Sequence, residues 1–476
     1  MLRLVALVLW LGGWLMPARA APDEVFQALG RAGIAAQGVS LMAQNVDDGE
    51  APLFSHNESR ALTLASTTKL VTSLAALDVL GPRYRWQTKA YLLGPLRDGV
   101  LQGDLLIVGG GDARLSSKDL QRWFTKMQSK GLREIRGNIL VNRALFKTQA
   151  SDHVNTPVPT PENPHHAWPD ALTVDEGVIT VEIASSPLGP VLSYRPRLEG
   201  VSIFNQLQVS RRKCSALRAP VSVAFEEFNP PARLLVQGEW APGCGPARIV
   251  VATLPGSRFT PLALAAAWRD AGGLLSGEVI QGAHAYVMPE LPRGLKPFAA
   301  HDSAPLNSLL RDMNKWSNNL LARHMMLSMA KGFPSRPATL AEARKRMNQW
   351  LVRQGLAQDD LVIDNGSGLS HAERGRADVL VQLLRKAWHG PHAQDVFQSL
   401  PVAGEDGTLS TRFKAPDVRG QAHLKTGTLV GARSLAGYVK GRSGRTYAVA
   451  AIINDPKADK GLGALDAFIE WVMLNG

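Results

Sequence analysis

The chain has 476 residues, 45% of them apolar and 20% charged. This composition excludes a disordered or fibrous protein, and the length exceeds one hydrophobic core of ordinary size. Basic residues exceed acidic ones by 53 − 41 = 12, a balance that draws a chain toward anionic surfaces such as lipid headgroups or cell-wall polymer. Two cysteines without clustered histidines make no metal site.

In chain order, Arg3, the apolar run LVALVLWLGGWLMP and the small residues of ARA at 18–20 read as a secretory signal cleaved after Ala20. The run is short for a bilayer span, and an uncleaved anchor is the alternative. Loss of Arg3 and Arg19 leaves a net charge of 12 − 2 = +10. Export to the periplasm takes the chain away from nucleic acid, which is not expected as a partner; peripheral association with an anionic membrane or wall is compatible with the charge. In that oxidising compartment Cys214 and Cys244 are candidates for one disulfide, which would stabilise by about 2–4 kcal/mol.

Residues 38–57 read as two strands around an Asp-Gly turn. The segment TLASTTKLVTSLAALDVLGP, 63–82, then reads as a long apolar helix that stops at Gly81-Pro82. From about 84 to 295 short alternating apolar runs separated by Pro and Gly predict a largely β insertion, with helical pieces at 117–130 and 260–272. The Pro-rich segment 156–169 suggests a boundary inside it, and His165–His166 there read as loop residues. VGGGDARLS at 108–116 lacks both the spacing and the lysine of a phosphate loop and reads as a tight glycine turn. Helical periodicity returns at 305–330, 339–355 and 377–388, and three strands and a final helix close the chain.

The expected fold is therefore a multidomain α/β (α+β) protein. Residues 21–88 and 296–476 form one domain, whose antiparallel sheet is completed from both ends of the sequence and flanked by helices. Residues 89–295 form the insertion, expected as two smaller nested units, the inner one about 155–250.

Three short motifs carry chemistry. Ser66 and Lys69 stand three apart at the head of the apolar helix, on one face, where a lysine able to lose its proton can activate a serine. Two further Ser-x-x-Lys pairs, Ser210–Lys213 and Ser328–Lys331, head no such helix. KWSNN supplies Ser317 and Asn319, whereas SHN at 55–57 reads as a turn. HLKTGT supplies Lys425, Thr426, Gly427 and Thr428 at the start of a strand. The order Ser-x-x-Lys, Ser-x-Asn, Lys-Thr-Gly is the motif set of β-lactamases and penicillin-binding proteins.

The physical assignments follow. Lys69 is the base for Ser66, Asn319 bonds the amide next to the scissile one, and Ser317 relays a proton to the leaving amine. Lys425, Thr426 and Thr428 hold a terminal carboxylate, and Gly427 lets substrate lie against the strand. The backbone N–H groups of Ser66 and Thr428 form an oxyanion hole. In DNGSGLS, Asp364, Ser367 and Ser370 read as structural or rim residues.

With ASTTKL, GGGDARL, MNKWSNN, DNGSGLS, GEDGTL and HLKTGTL all present, the chain resembles the D-alanyl-D-alanine carboxypeptidase/endopeptidase family, the class C low-molecular-mass penicillin-binding proteins of the type-4 kind. The separation of 317 − 66 = 251 residues between the first two motifs fits the large insertion of that class and is too long for an ordinary β-lactamase. Asn318 departs from the aspartate common there.

The resemblance implies a transpeptidase-like domain with a central five-stranded antiparallel sheet. It also implies a serine enzyme that needs no cofactor and cuts D-alanyl bonds of peptidoglycan stem peptides. The substrates would be D-Ala-D-Ala ends and D-Ala–diaminopimelate crosslinks, and β-lactams would acylate the same serine. A β-lactamase or esterase of the same superfamily and a catalytically silent wall-binding or scaffolding protein are the alternatives.

Overall fold

The computed structural model describes residues 22–47, 51–211, 221–227, 232–281, 294–357 and 359–476. The signal segment and Cys214 lie outside the described residues; Cys244 is disulfide-bonded.

A five-stranded antiparallel sheet organises the catalytic part. Its order is Phe54–His56, Val39–Asn45, Thr446–Asn454, Ala432–Lys440, Ala422–Leu429. The first long strand lies beside the last one, with Val39 opposite Ile453 and Asn45 opposite Tyr447. Alternation sorts the side chains onto two faces. Val39, Leu41, Val449, Ala451, Ile453, Leu435 and Val439 pack with Val25, Leu29, Phe468 and Ile469 of the helices Asp23–Ala32 and Leu462–Asn475. Met42, Ala448, Ala450, Ile452, Ala436 and Tyr438 face the other core, which holds the helices Thr68–Leu80 and Ala377–Trp388. Cover on both faces explains why TYAVAAIIN is a continuous apolar run rather than an alternating one. The helix Asp23–Ala32 was not expected from the sequence.

The insertion leaves the catalytic part on the strand Gln87–Leu93 and returns on Ala299–Asp302, and these two strands pair directly, Ala90 with Ala299. They belong to a five-stranded sheet completed by Asp104–Val108, Ile139–Asn142 and Val279–Gln281. Helices Ser117–Ser129 and Gly256–Asp270 pack on it through Phe124, Trp268 and Phe259. Two three-stranded sheets drawn from Ile179–Val251 are nested within it.

The glycines of VGGGDARLS are packing residues: a Cβ on Gly110 would stand 2.0 Å from the Gln87 carbonyl oxygen, and one on Gly109 would stand 2.4 Å from that of Ala171. Among the described residues no helix is long and apolar enough to cross a membrane.

The helical stretch expected at 305–330 is instead two helices, Leu306–Lys315 and Asn319–Ser328. The chain breaks at Ser317, whose φ of 57° is left-handed and cannot continue a right-handed helix. Asn318 then caps the second helix, its side-chain oxygen accepting from Leu321 N at 2.9 Å. Apolar periodicity runs through the break because both helices bury the same kind of face.

Candidate active site

Ser66 sits in a single 3-10 turn, Ala65–Thr67, that feeds the helix Thr68–Leu80. Every residue of that helix from Thr68 to Leu77 is buried, which is why the segment reads as apolar on all sides. Ala65 has a left-handed φ of 48°, a strained conformation for a residue with a side chain, and it presents Ser66 at the helix mouth. The turn is clamped from both sides. A Cβ on Gly368 would stand 2.0 Å from the Ala65 carbonyl oxygen, and one on Gly427 would stand 2.0 Å from Ser434 Oγ and 3.1 Å from Ser66 N. Ser434 Oγ in turn donates to the Leu64 carbonyl. The missing side chain at Gly427 therefore serves the close approach of its strand to the nucleophile turn.

Lys69 is fully buried, and its Nζ has three oxygen neighbours: Ser66 Oγ at 2.8 Å, Asn319 Oδ1 at 2.6 Å and the Ser367 carbonyl oxygen. Burial pushes the lysine well below its ordinary value and the Lys425 charge adds to this; the Glu373 carboxylate opposes it, and Arg323 lowers it further. The contacts dictate what the neutral amine does. Asn319 Oδ1 and the Ser367 carbonyl can only accept, so they take both N–H bonds, and the lone pair is left for the Ser66 hydroxyl proton.

Asn319 is fixed at its other end, where Nδ2 donates to the His165 carbonyl at 3.1 Å. The buried Arg323 donates to the carbonyls of His166 and Ala167, holding the Pro-rich segment of the insertion against the same helix. His165 and His166 thus touch the site through their backbone.

Lys425 is fully buried too. Its Nζ lies 2.9 Å from Ser317 Oγ and 2.8 Å from the Thr426 carbonyl, and burial lowers it to about 7. Its charge is directed at Ser317, so the Thr428 hydroxyl is the more accessible carboxylate donor. Thr428 is exposed, and Thr426 is held by Thr408 Oγ1 at 2.8 Å.

The strand Ala422–Leu429 is the edge of its sheet. Leu424 N donates away from the sheet to Pro401 O, and Ala422 O accepts from Ala403 N on that side. Backbone direction repeats every two residues, so Thr426 and Thr428 turn their N–H groups to this outer edge. Thr428 N–H is therefore available to an oxyanion.

Of the sequence-derived residues, the structure brings Ser66, Lys69, Ser317, Asn319, Lys425 and Gly427 into one cluster. It leaves Ser328, whose hydroxyl donates to His324 O, outside the cluster. Ser210 ends a strand of the insertion, its N–H donating to Trp240 O, and Lys213 lies outside the described residues. Asn57 of SHN adopts a left-handed turn conformation.

Sequence reasoning missed the Ser367 carbonyl, which acts through the backbone and so has no residue signature. It also missed Glu373. That buried carboxylate accepts from the N–H groups of Asp364, Asn365, Gly366 and Gly368 at 2.7–3.1 Å and so shapes the DNGSGLS loop that carries Ser367. Burial pushes Glu373 up, against those backbone donors.

Residues 24–472 match the D-Ala-D-Ala carboxypeptidase 3 (S13) family. The chain belongs to this family. Among its relatives, the D-alanyl-D-alanine carboxypeptidase DacB of Haemophilus influenzae is 24% identical over 430 residues, covering 87% of this chain and 85% of that protein. A D-alanyl-D-alanine carboxypeptidase of Actinomadura sp. (strain R39) is 29% identical over 410 residues, covering 82% and 73%. The crystal structure of penicillin binding protein 4 from Haemophilus influenzae superposes with a TM-score of 0.74 at 21% identity, covering 94% of this chain and 98% of that one; a second structure of it holds a β-lactam. The S13 family makes the chain a D-Ala-D-Ala carboxypeptidase, a hydrolase.

Proposed function

We propose that the chain is a periplasmic serine DD-carboxypeptidase that also acts as a DD-endopeptidase on peptidoglycan, through a Ser66 acyl-enzyme. The observation that carries this reading is the fully buried Lys69, its hold on a proton weakened by burial and by Lys425, with its Nζ 2.8 Å from Ser66 Oγ.

Ser66 Oγ attacks the carbonyl carbon of the penultimate D-alanine while its proton passes to Lys69 Nζ. The carbonyl oxygen becomes an oxyanion held by the N–H groups of Ser66 and Thr428. Ser317 Oγ hands a proton to the departing amine and takes one from the Lys425 ammonium beside it, the C–N bond breaks, and the D-alanine or the crosslinked amine leaves. Water then attacks the ester carbonyl, its proton passing through Ser317 to the neutral Lys425, while Lys69 returns its proton to the departing Ser66 Oγ. Thr426 and Thr428 receive the terminal carboxylate at the sheet edge. A β-lactam presents a carboxylate and a strained amide to the same groups and acylates Ser66, in keeping with the β-lactam held by the Haemophilus protein.

Mass spectrometry of muropeptides treated with the purified protein tests the reading. Loss of one D-alanine from pentapeptides and conversion of crosslinked dimers to monomers are expected. Unchanged muropeptides, with no penicillin bound to Ser66, would refute it.

A further inference from the structure

We propose that Glu176, supplied by the insertion, is a positioning residue for the Ser317–Asn319 turn and acts through Asn318. The proposal rests on the Ser66 acyl-enzyme reading.

Asn318 lies between the two catalytic side chains of its motif, and its own side chain has two fixed partners. Its Oδ1 accepts from Leu321 N at 2.9 Å, and its Nδ2 donates to Glu176 Oε2 at 2.9 Å. The polarity is determined at both ends: reversing the amide would set N–H against N–H at the helix and oxygen against carboxylate at Glu176. The other Glu176 oxygen pairs with Arg114, and Arg114 Nε reaches Asp312 Oδ2 at 3.3 Å. Asp312 lies on the helix Leu306–Lys315 that leads into Ser317. Glu176 is thus bonded directly to the helix after the break and, through Arg114, to the helix before it.

Backbone conformation supports the assignment. Ser317 is left-handed, with φ 57°, and its hydroxyl must meet Lys425. The element that reaches over it is itself left-handed at two consecutive residues with side chains, Asp175 at 44° and Glu176 at 57°. That conformation is held by Asp175, which accepts from Ser117 N at 2.9 Å and donates its own N–H to the Leu115 carbonyl. Strain persists where the surroundings over-determine it, and here the strained Glu176 is bonded to the residue that follows the strained Ser317. An aspartate at 318 would cap the helix equally well, but it would place a carboxylate against Glu176. The asparagine and the glutamate therefore fit one another in this chain, and the insertion has a direct grip on the catalytic turn.

A polarity swap tests the assignment in the full mature chain. The rate of acylation by a fluorescent penicillin is measured separately from the affinity of the preceding non-covalent complex. Asn318→Asp should slow acylation about tenfold to a hundredfold, the effect of leaving a half-buried acceptor facing another acceptor. Glu176→Gln alone should slow acylation less than Asn318→Asp, because its amide oxygen still accepts from Asn318 while only the Arg114 pairing is lost. The double variant Glu176→Gln/Asn318→Asp should return close to the Glu176→Gln rate, because the glutamine amide now donates to the aspartate.

A merely structural glutamate predicts no such rescue, and it predicts loss of affinity and rate together. The proposal is overturned if Asn318→Asp acylates at the wild-type rate, or if the double variant is no faster than Asn318→Asp. Should Asn318→Asp fail to fold in a thermal melt, Glu176→Ala takes its place: slower acylation at unchanged affinity supports the assignment, and a wild-type rate overturns it. A wild-type protein that takes no penicillin at Ser66 would sink the acyl-enzyme reading and this proposal with it, a result separate from any ratio among the variants.

Discussion

Ser66–Lys69 and Ser328–Lys331 share one spacing and stand at opposite ends of apolar helices, the first before Thr68–Leu80 and the second closing Asn319–Ser328. Both serines are buried. At the second pair the hydroxyl is fully used, donating to the His324 carbonyl at 2.7 Å and accepting from Trp86 Nε1 at 2.8 Å, while Lys331 lies exposed and keeps no contact with it. At the first pair the lysine is buried along with its serine, and two carbonyl-type oxygens consume its hydrogens. The proposed nucleophile differs from Ser328 in that its lysine has been desolvated and oriented, a property of the surroundings that the four-residue pattern does not contain.

The largest effect that separates the two pairs is covalent labelling. Ser66→Ala is expected to abolish stoichiometric attachment of a fluorescent penicillin, measured by intact mass. Ser328→Ala should keep labelling and instead lose about 1–3 kcal/mol of stability in a urea titration, because the Trp86 indole N–H is left without its acceptor. Full labelling of Ser66→Ala would erase the distinction.

A second test sharpens the role of the buried lysine. Acylation requires neutral Lys69, so its rate climbs as pH rises through that group's lowered value. The Lys425 ammonium helps keep Lys69 low. Lys425→Ala should therefore raise Lys69, move the acid limb of the acylation profile to higher pH, and cost about a hundredfold near neutrality through the combined loss of Ser317 contact and base. Below about 7, where wild-type Lys425 is charged, the separation between the two profiles should be widest. An acid limb that stays in place would confine Lys425 to holding Ser317.

The smallest expected effect concerns the clamp around Ser66, which the Ser328 pair lacks. Gly427→Ala places a Cβ 2.0 Å from Ser434 Oγ, so either the strand or the Ala65–Thr67 turn must move. Acylation should fall about tenfold, with an overpacking cost of about 1–3 kcal/mol. Unaltered kinetics in Gly427→Ala would show that the strand and the turn move independently.

The parts legible in the sequence were those in which a side chain carries its own chemistry. The three motifs, the apolar helix after Ser66, and the strands that build the central sheet all announce themselves by residue type and period. The illegible parts depend on contacts distant in the chain or on atoms common to every residue. The Ser367 carbonyl could belong to any amino acid. Glu373 reads as an ordinary surface acid until its loop folds around it and supplies four N–H donors. Glu176 meets Asn318 across a sequence separation of 142. The break at Ser317 was hidden because apolar residues on either side continue the helical period, and period reports burial, not the backbone angle of one residue.

The strand pairings also set an order of assembly for a chain made from its N-terminus. Gln87–Leu93 finds its partner Ala299–Asp302 well before Thr446–Asn454 is made, so the insertion holds its own sheet partners early. Val39–Asn45 must wait for Thr446–Asn454, 414 residues later by the Val39–Ile453 register, and the Lys425 strand depends on the same late arrival through Ala432–Lys440. Such a distant closure is slow to search for and leaves one edge of Val39–Asn45 unpaired until Thr446–Asn454 is made, its other edge being taken by Phe54–His56. Catalytic competence is thereby tied to the last thirty or so residues: a chain truncated before Thr446 retains every motif residue yet lacks the strand that joins Val39–Asn45 to the edge carrying Lys425.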